Sequence, residues 1–208
     1  MRILWLLGLL AAGCAKKPGA VVDAAVKSPH PDLVCPAGTT PSGTAPPAGF
    51  EVWCYELSPS GQPVRNGPSI AWHPNEQRKA QGAFALGRPT GAWESWYANG
   101  QLEKTGSYVN GREEGVWVAY HPGGARASEG SWVDGKENGK WAYWAEDGSS
   151  RTEGTWSLGN REGTWVDYDA SDVPVREKEW RGGRMLAQRV LSTPAPATPA
   201  PTPTPAPK

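Results

Sequence analysis

The chain has 208 residues, with 21 Lys and Arg set against 21 Asp and Glu and a formal net charge of zero. Its charges are interspersed rather than clustered, which excludes the concentrated positive footprint of a nucleic-acid binder. Twelve Trp accompany only two Phe and two Met, so the aromatic content comes from residues whose polar tips suit half-wet surfaces rather than an ordinary core.

At the amino end, Met1-Arg2, the apolar run Ile3 to Ala12 and the small pair Gly13-Cys14 have the layout of an export signal. The run is too short to cross a bilayer. Leu10-Ala11-Ala12-Gly13-Cys14 resembles the lipobox of bacterial lipoproteins, in which the cysteine becomes the acylated first residue of the mature chain. That resemblance implies a signal peptide over residues 1–13, lipidation of Cys14 and a membrane partner held through the lipid anchor. Ala15 stands where an aspartate is associated with inner-membrane retention, so the expected address is the cell envelope, at the outer membrane. An ordinary cleaved signal is the alternative, and it too carries the protein out of the cytoplasm.

Residues 14–48 are rich in Ala, Pro, Gly, Ser and Thr without sustained periodicity and read as a flexible tether. The two remaining cysteines, Cys35 and Cys54, form an even pair in an exported chain and predict one disulfide. They lack the nearby histidines that a zinc site would need. Phe50 to Leu57 alternates between turn residues and predicts a strand, opening a repeat domain over residues 49–192.

Gly67, Gly91, Gly115, Gly139 and Gly163 recur every 24 residues and open five similar units. Counting each glycine as position one, the third position holds Trp93, Trp117, Trp141 and Trp165, with Ser69 the exception. The sixth is aromatic throughout: Trp72, Trp96, Tyr120, Trp144 and Tyr168. Position sixteen holds glycine in four units (Gly82, Gly106, Gly130, Gly154) and Lys178 in the fifth; position eighteen is aromatic in all five.

Asn99-Gly100, Gly123-Gly124 and Asp147-Gly148 separate paired aromatic runs and predict two-residue hairpin turns of the primed types. Asn110-Gly111 and Asp134-Gly135 supply the bend between units. The expected fold class is therefore all-β: an elongated antiparallel meander of roughly ten strands in five tandem hairpins. In such a meander each third-position Trp lies across from a sixteenth-position glycine. The sixth-position ring has the opposite parity and faces the other way. The stretch 184–191 reads equally as a last strand or a short helix. Residues 193–208, alternating Pro with Ala and Thr, are expected to form a stiff disordered tail.

No motif for catalysis or a cofactor appears. His73 and His121 share a repeat position two units apart, too far to share a metal, and no nucleophile elbow is present. Glu129, Glu153 and Glu177 recur at position fifteen, where they are expected to pair with Arg and Lys across the sheet as solvated ladders rather than act as acid and base. The Trp and Tyr rows are expected to stack the thin sheet, with one row left open; Trp96, Tyr120, Trp144 and Tyr168 are the candidate contacts for a protein or glycan partner.

The pattern Gly-x-Trp-x-x-Tyr/Trp, turn, Gly-x-aromatic-x-x-Gly over about residues 62 to 184 resembles the MORN-repeat variant found in many bacterial proteins. The resemblance implies an elongated, twisted β-meander used for interaction; with no catalytic motif found, neither enzymatic activity nor a cofactor is expected. The first and fifth units depart from the pattern, with Ser69 and Glu76 in one and Asp172-Val173-Pro174 and Lys178 in the other, as capping units do. Two further readings stand beside it: a carbohydrate-active enzyme, and an antitoxin-like immunity protein, the latter from names given to related repeats.

Overall fold

Glycine every few residues denies the repeats a helix, and paired aromatic runs favour strands. The computed structural model describes residues 28–191, which form one antiparallel sheet of thirteen strands in strict chain order. A short β1 (Thr40–Thr44) and β2 (Glu51–Leu57) precede the repeats. The five units then supply ten strands: β3 (Pro63–Trp72), β4 (Arg78–Ala85), β5 (Arg88–Trp96), β6 (Leu102–Val109), β7 (Arg112–Tyr120), β8 (Arg126–Val133), β9 (Lys136–Trp144), β10 (Ser150–Ser157), β11 (Asn160–Asp169) and β12 (Pro174–Arg181). The ambiguous stretch at the carboxyl end is a strand, β13 (Arg184–Val190). At ordinary strand spacing the sheet measures about 58 Å along its width.

The two kinds of turn are distributed differently from expectation. Inside the hairpins, Tyr97 N–H donates to Gln101 O and Gly100 N–H to Tyr97 O, with only Gly100 at positive φ. This is a three-residue loop, a type I turn followed by a left-handed glycine. Primed two-residue turns instead join one hairpin to the next: Asn110 and Gly111 both take positive φ, as do Asp134 and Gly135. The glycine pattern alone could not separate the two, because both place a glycine at positive φ. In the first unit Glu76 takes the glycine's place at φ 65°, a conformation costly for a side chain with a Cβ. Glu76→Gly should therefore raise stability by about 0.5–1 kcal/mol, read as an upward shift of the urea midpoint at unchanged slope.

The opening glycines have a separate duty. On entering β5, β7, β9 and β11 the chain runs past its partner with two extra residues, so that Thr105 faces Val118 while Ser107 faces Glu114. Gly115 sits in this bulge at φ 75° with open space where a Cβ would stand. Its requirement is conformational rather than steric. An insertion of two residues preserves the alternation of faces, so every later side chain keeps its side.

The third and sixteenth positions face each other as expected: Trp93 pairs with Gly106, Trp117 with Gly130 and Trp141 with Gly154. The ring that covers each glycine, however, comes from the following unit. A Cβ added at Gly106 would run into the indole of Trp117, one at Gly130 into Trp141, and one at Gly154 into Trp165. Each of these indoles also donates to the carbonyl just beyond its glycine, Trp117 Nε1 to Ser107 O and Trp141 Nε1 to Ser131 O at 3.1 Å. The eighteenth-position rings close over them edge-on, as Tyr108 does against Trp117 at 5.0 Å and Trp156 against Trp165 at 5.5 Å. Trp117, Trp141 and Trp165 are thereby buried in a sheet with no second layer. Aromatic cover of a strand glycine is what makes that possible.

The only buried aliphatic cluster among the described residues lies at the amino end, where Leu33, Val52, Cys54, Ile70 and Trp72 pack together. The expected disulfide joins Cys35 to Cys54. Residues 28–48, read from composition as the end of a flexible tether, are folded against the first strands: Leu33 is 1% exposed, and β1 adds a strand to β2. A run of Pro, Gly and Ala hides this because one leucine and a disulfide suffice to dock it. The signal segment, Cys14 and the tail 193–208 lie outside the described residues.

Candidate functional site

Strand alternation gives the sheet two unlike faces. On β9, Trp141 and Tyr143 point to the aromatic face just described, while Lys140, Ala142 and Trp144 point to the other. The second face carries a shallow groove of about 650 Å³ across β7 to β11, lined among others by Val116, Arg126, Lys140, Trp144, Val166 and Tyr168. Of the four candidate contacts, the structure brings Trp144 and Tyr168 together in this groove. Trp96 and Tyr120 end β5 and β7 at the same repeat position, half-buried, outside the groove lining.

Two arginines that sequence reasoning did not single out complete the site. The Arg126 guanidinium lies 5.8 Å from the centre of the Trp144 ring, and that of Arg151 lies 4.3 Å over Tyr168. Arg151 sits directly across from Trp144, because the fourth hairpin closes between Ala145 and Ser150, one residue later than its predecessors. The result is an alternating row, Arg126, Trp144, Arg151, Tyr168, of the cation–aromatic kind. Register was the signal that could have revealed it, since position twelve or thirteen faces position six.

The charges of this row are locally balanced. Arg126 pairs with Glu129, Arg151 with Glu153 at 2.5 Å and with Asp172 at 3.3 Å, and Arg189 with Glu177. The three recurring glutamates thus each hold an arginine, but only Glu177 does so across the sheet, from β13; Glu129 and Glu153 each pair with an arginine of their own strand, a departure from the expected cross-strand ladder. Such exposed pairs contribute little stability, but they fix the arginines beside the rings.

Along the hairpin tips, side chains tie each unit to the next. His73 Nε2 donates to Trp96 O at 2.7 Å, Tyr97 OH to Tyr120 O at 2.8 Å, and His121 Nε2 to Trp144 O at 2.8 Å. These two histidines are therefore structural, and His121 holds the backbone of Trp144, whose ring belongs to the row. Among the described residues no group of three or more His, Cys, Asp and Glu could hold a metal ion.

Two perturbed groups sit on the aromatic face. Burial, joined by the neighbouring Glu113 carboxylate, pushes the Tyr108 hydroxyl up to about 12. At Asp167, burial works to raise the carboxyl, but hydrogen bonds from Lys178 and Thr152 outweigh it and hold it below the usual range. Neither group is placed for proton transfer: each is tied into the packing of the face that the rings close.

A single antiparallel sheet of tandem hairpins, each locked to the one before it, defines this chain as a β-repeat protein. Residues 89–110, spanning most of the second unit, match the family model described as MORN repeat variant, which agrees with the resemblance of the five units. A search of curated proteins finds no match. Among solved structures, a Glycosylation Associate Protein complex from Streptococcus agalactiae is similar over 54% of this chain and 20% of that chain, at 19% identity and a TM-score of 0.30. The chain thus spans about a fifth of the length of that structure.

Proposed function

We propose that this protein is a non-catalytic interaction module, held at the cell envelope by a lipid on Cys14, whose repeat sheet captures a protein or glycan partner. The observation that carries this reading is the alternating row of Arg126, Trp144, Arg151 and Tyr168, of which Arg126, Trp144 and Tyr168 line an open groove. Half-exposed aromatic rings braced by arginines offer large contact area at low entropy cost, the composition typical of binding hot spots. The arginines already have carboxylate partners, so the row presents a neutral, amphipathic surface rather than a charged one.

Trp144→Ala tests the row. It should weaken capture of the partner from solubilised envelope by about tenfold or more while the melting curve keeps its cooperative shape. Collapse of the fold would assign the ring to structure. The anchor is tested separately: Cys14→Ser should move the protein from the membrane fraction to the soluble one, since loss of several acyl chains removes the binding that a membrane anchor needs. Continued sedimentation with membranes would overturn the lipid assignment.

A further inference from the structure

The aromatic face is not uniform from unit to unit, and the difference leaves a seat open. In the fourth unit Tyr143 lies between two indoles, 5.6 Å from Trp141 at 19° and 6.1 Å from Trp165 at 24°. Its hydroxyl accepts a hydrogen bond from Trp156 Nε1 at 2.9 Å. One unit earlier the corresponding residues are Trp117, Ala119, Trp132 and Trp141. The three indoles are kept and the phenol is missing.

A hollow of about 110 Å³ lies there, bordered by Trp117, Ala119, Ser128, Trp132 and Trp141, with the charged Lys104 and Glu113 also in its lining. Ala119, Ser128 and Trp132 all retain solvent exposure. Between Trp93 and Trp117 the equivalent gap, beside Ser95, is used by Lys104, whose ammonium lies 4.7 Å over Trp117. Ser128 is too short to do the same. Where Trp156 donates to Tyr143, Ala119 offers Trp132 no acceptor.

We propose that the hollow between Trp117 and Trp141 is a binding seat for the phenol ring of a tyrosine presented by a partner polypeptide. The fourth unit supplies the template for the complex: two near-parallel indoles flank the ring, and the eighteenth-position indole N–H donates to its hydroxyl. The volume is of one-ring size, somewhat below the roughly 150 Å³ of an engineered cavity that accepts benzene. Apolar contact supplies most of the attraction and the hydroxyl supplies selectivity. The seat lies on the face opposite the arginine row, so it goes beyond the function proposed above and does not depend on it.

The test uses the full chain and follows the indole N–H resonance of Trp132 by NMR, assigned by its loss in Trp132→Phe. The peptides acetyl-Gly-Tyr-Gly-amide and acetyl-Gly-Phe-Gly-amide are titrated in parallel with p-cresol and a methyl glucoside. The tyrosine peptide and p-cresol should both shift that resonance saturably, and the phenylalanine peptide should bind about threefold to tenfold more weakly for want of the hydroxyl. Ala119→Tyr should fill the seat from within: the melting temperature holds or rises, and both ligands lose their effect. Equal binding of the two peptides, response to p-cresol but not to the tyrosine peptide, response to the glucoside alone, or no response at all would each overturn the proposal. So would unchanged peptide binding by a folded Ala119→Tyr variant.

Discussion

Gly130→Ala is expected to destabilise the protein by about 3–5 kcal/mol, the scale of losing a packed tryptophan, because the new methyl group would occupy the space of the Trp141 indole. The ring can move only by giving up its present contacts. It lies on the glycine, donates to Ser131 O, and is closed over by Trp132 edge-on at 5.6 Å. Gly130 itself is not at positive φ, so backbone strain is not the cause. Trp141→Ala should cost a similar amount, and the two changes should be strongly non-additive, since the methyl group is harmless once the ring is gone. Urea unfolding of both single variants and the double would show this. A cost at Gly130 that persists undiminished in the Trp141→Ala background would mean that the clash is not its origin.

The second large effect is expected at the other end of the molecule. Replacing Cys35 and Cys54 together by Ala should remove about 3 kcal/mol on the chain-entropy account of a loop of this length. Its character should differ from the glycine variant. Leu33 and β1 are held on the sheet by this link and by a small cluster, so reduction should release residues 28–48 and expose Val52 and Ile70 before the repeats melt. Hydrogen exchange that accelerates in β1 and β2 while β7 to β11 stay protected would show that sequence of events. Uniform acceleration through all thirteen strands would instead make the cap a part of one cooperative unit.

These two effects stand differently in relation to the amino-acid sequence. That Trp117 faces Gly130 could be read from spacing, because strand alternation and a turn position fix which residues oppose each other. Which neighbour's ring covers the glycine could not, because the lean of an indole depends on sheet twist and on the bulge at the opening glycine. The hairpin loops were misjudged for a related reason. A left-handed glycine serves a primed turn and a three-residue loop alike, and only the hydrogen bond from Tyr97 to Gln101 decides. Docking of residues 28–48 left almost no trace, since one buried leucine in a Pro-rich run has no period. At the candidate site the rings were legible as a row, and the arginines between them were not, because their partnership rests on a register that slips by one residue in the fourth hairpin.

Because the indole of each unit rests on the glycine of the unit before it, every hairpin needs only what precedes it in the chain. A polypeptide emerging amino end first, capped by its disulfide, always has the platform for its next tryptophan already built. Growth of the sheet is then a zippering in the direction of synthesis. Its reverse, fraying from the exposed last strand β13 inward, is the cheapest way for the molecule to come apart.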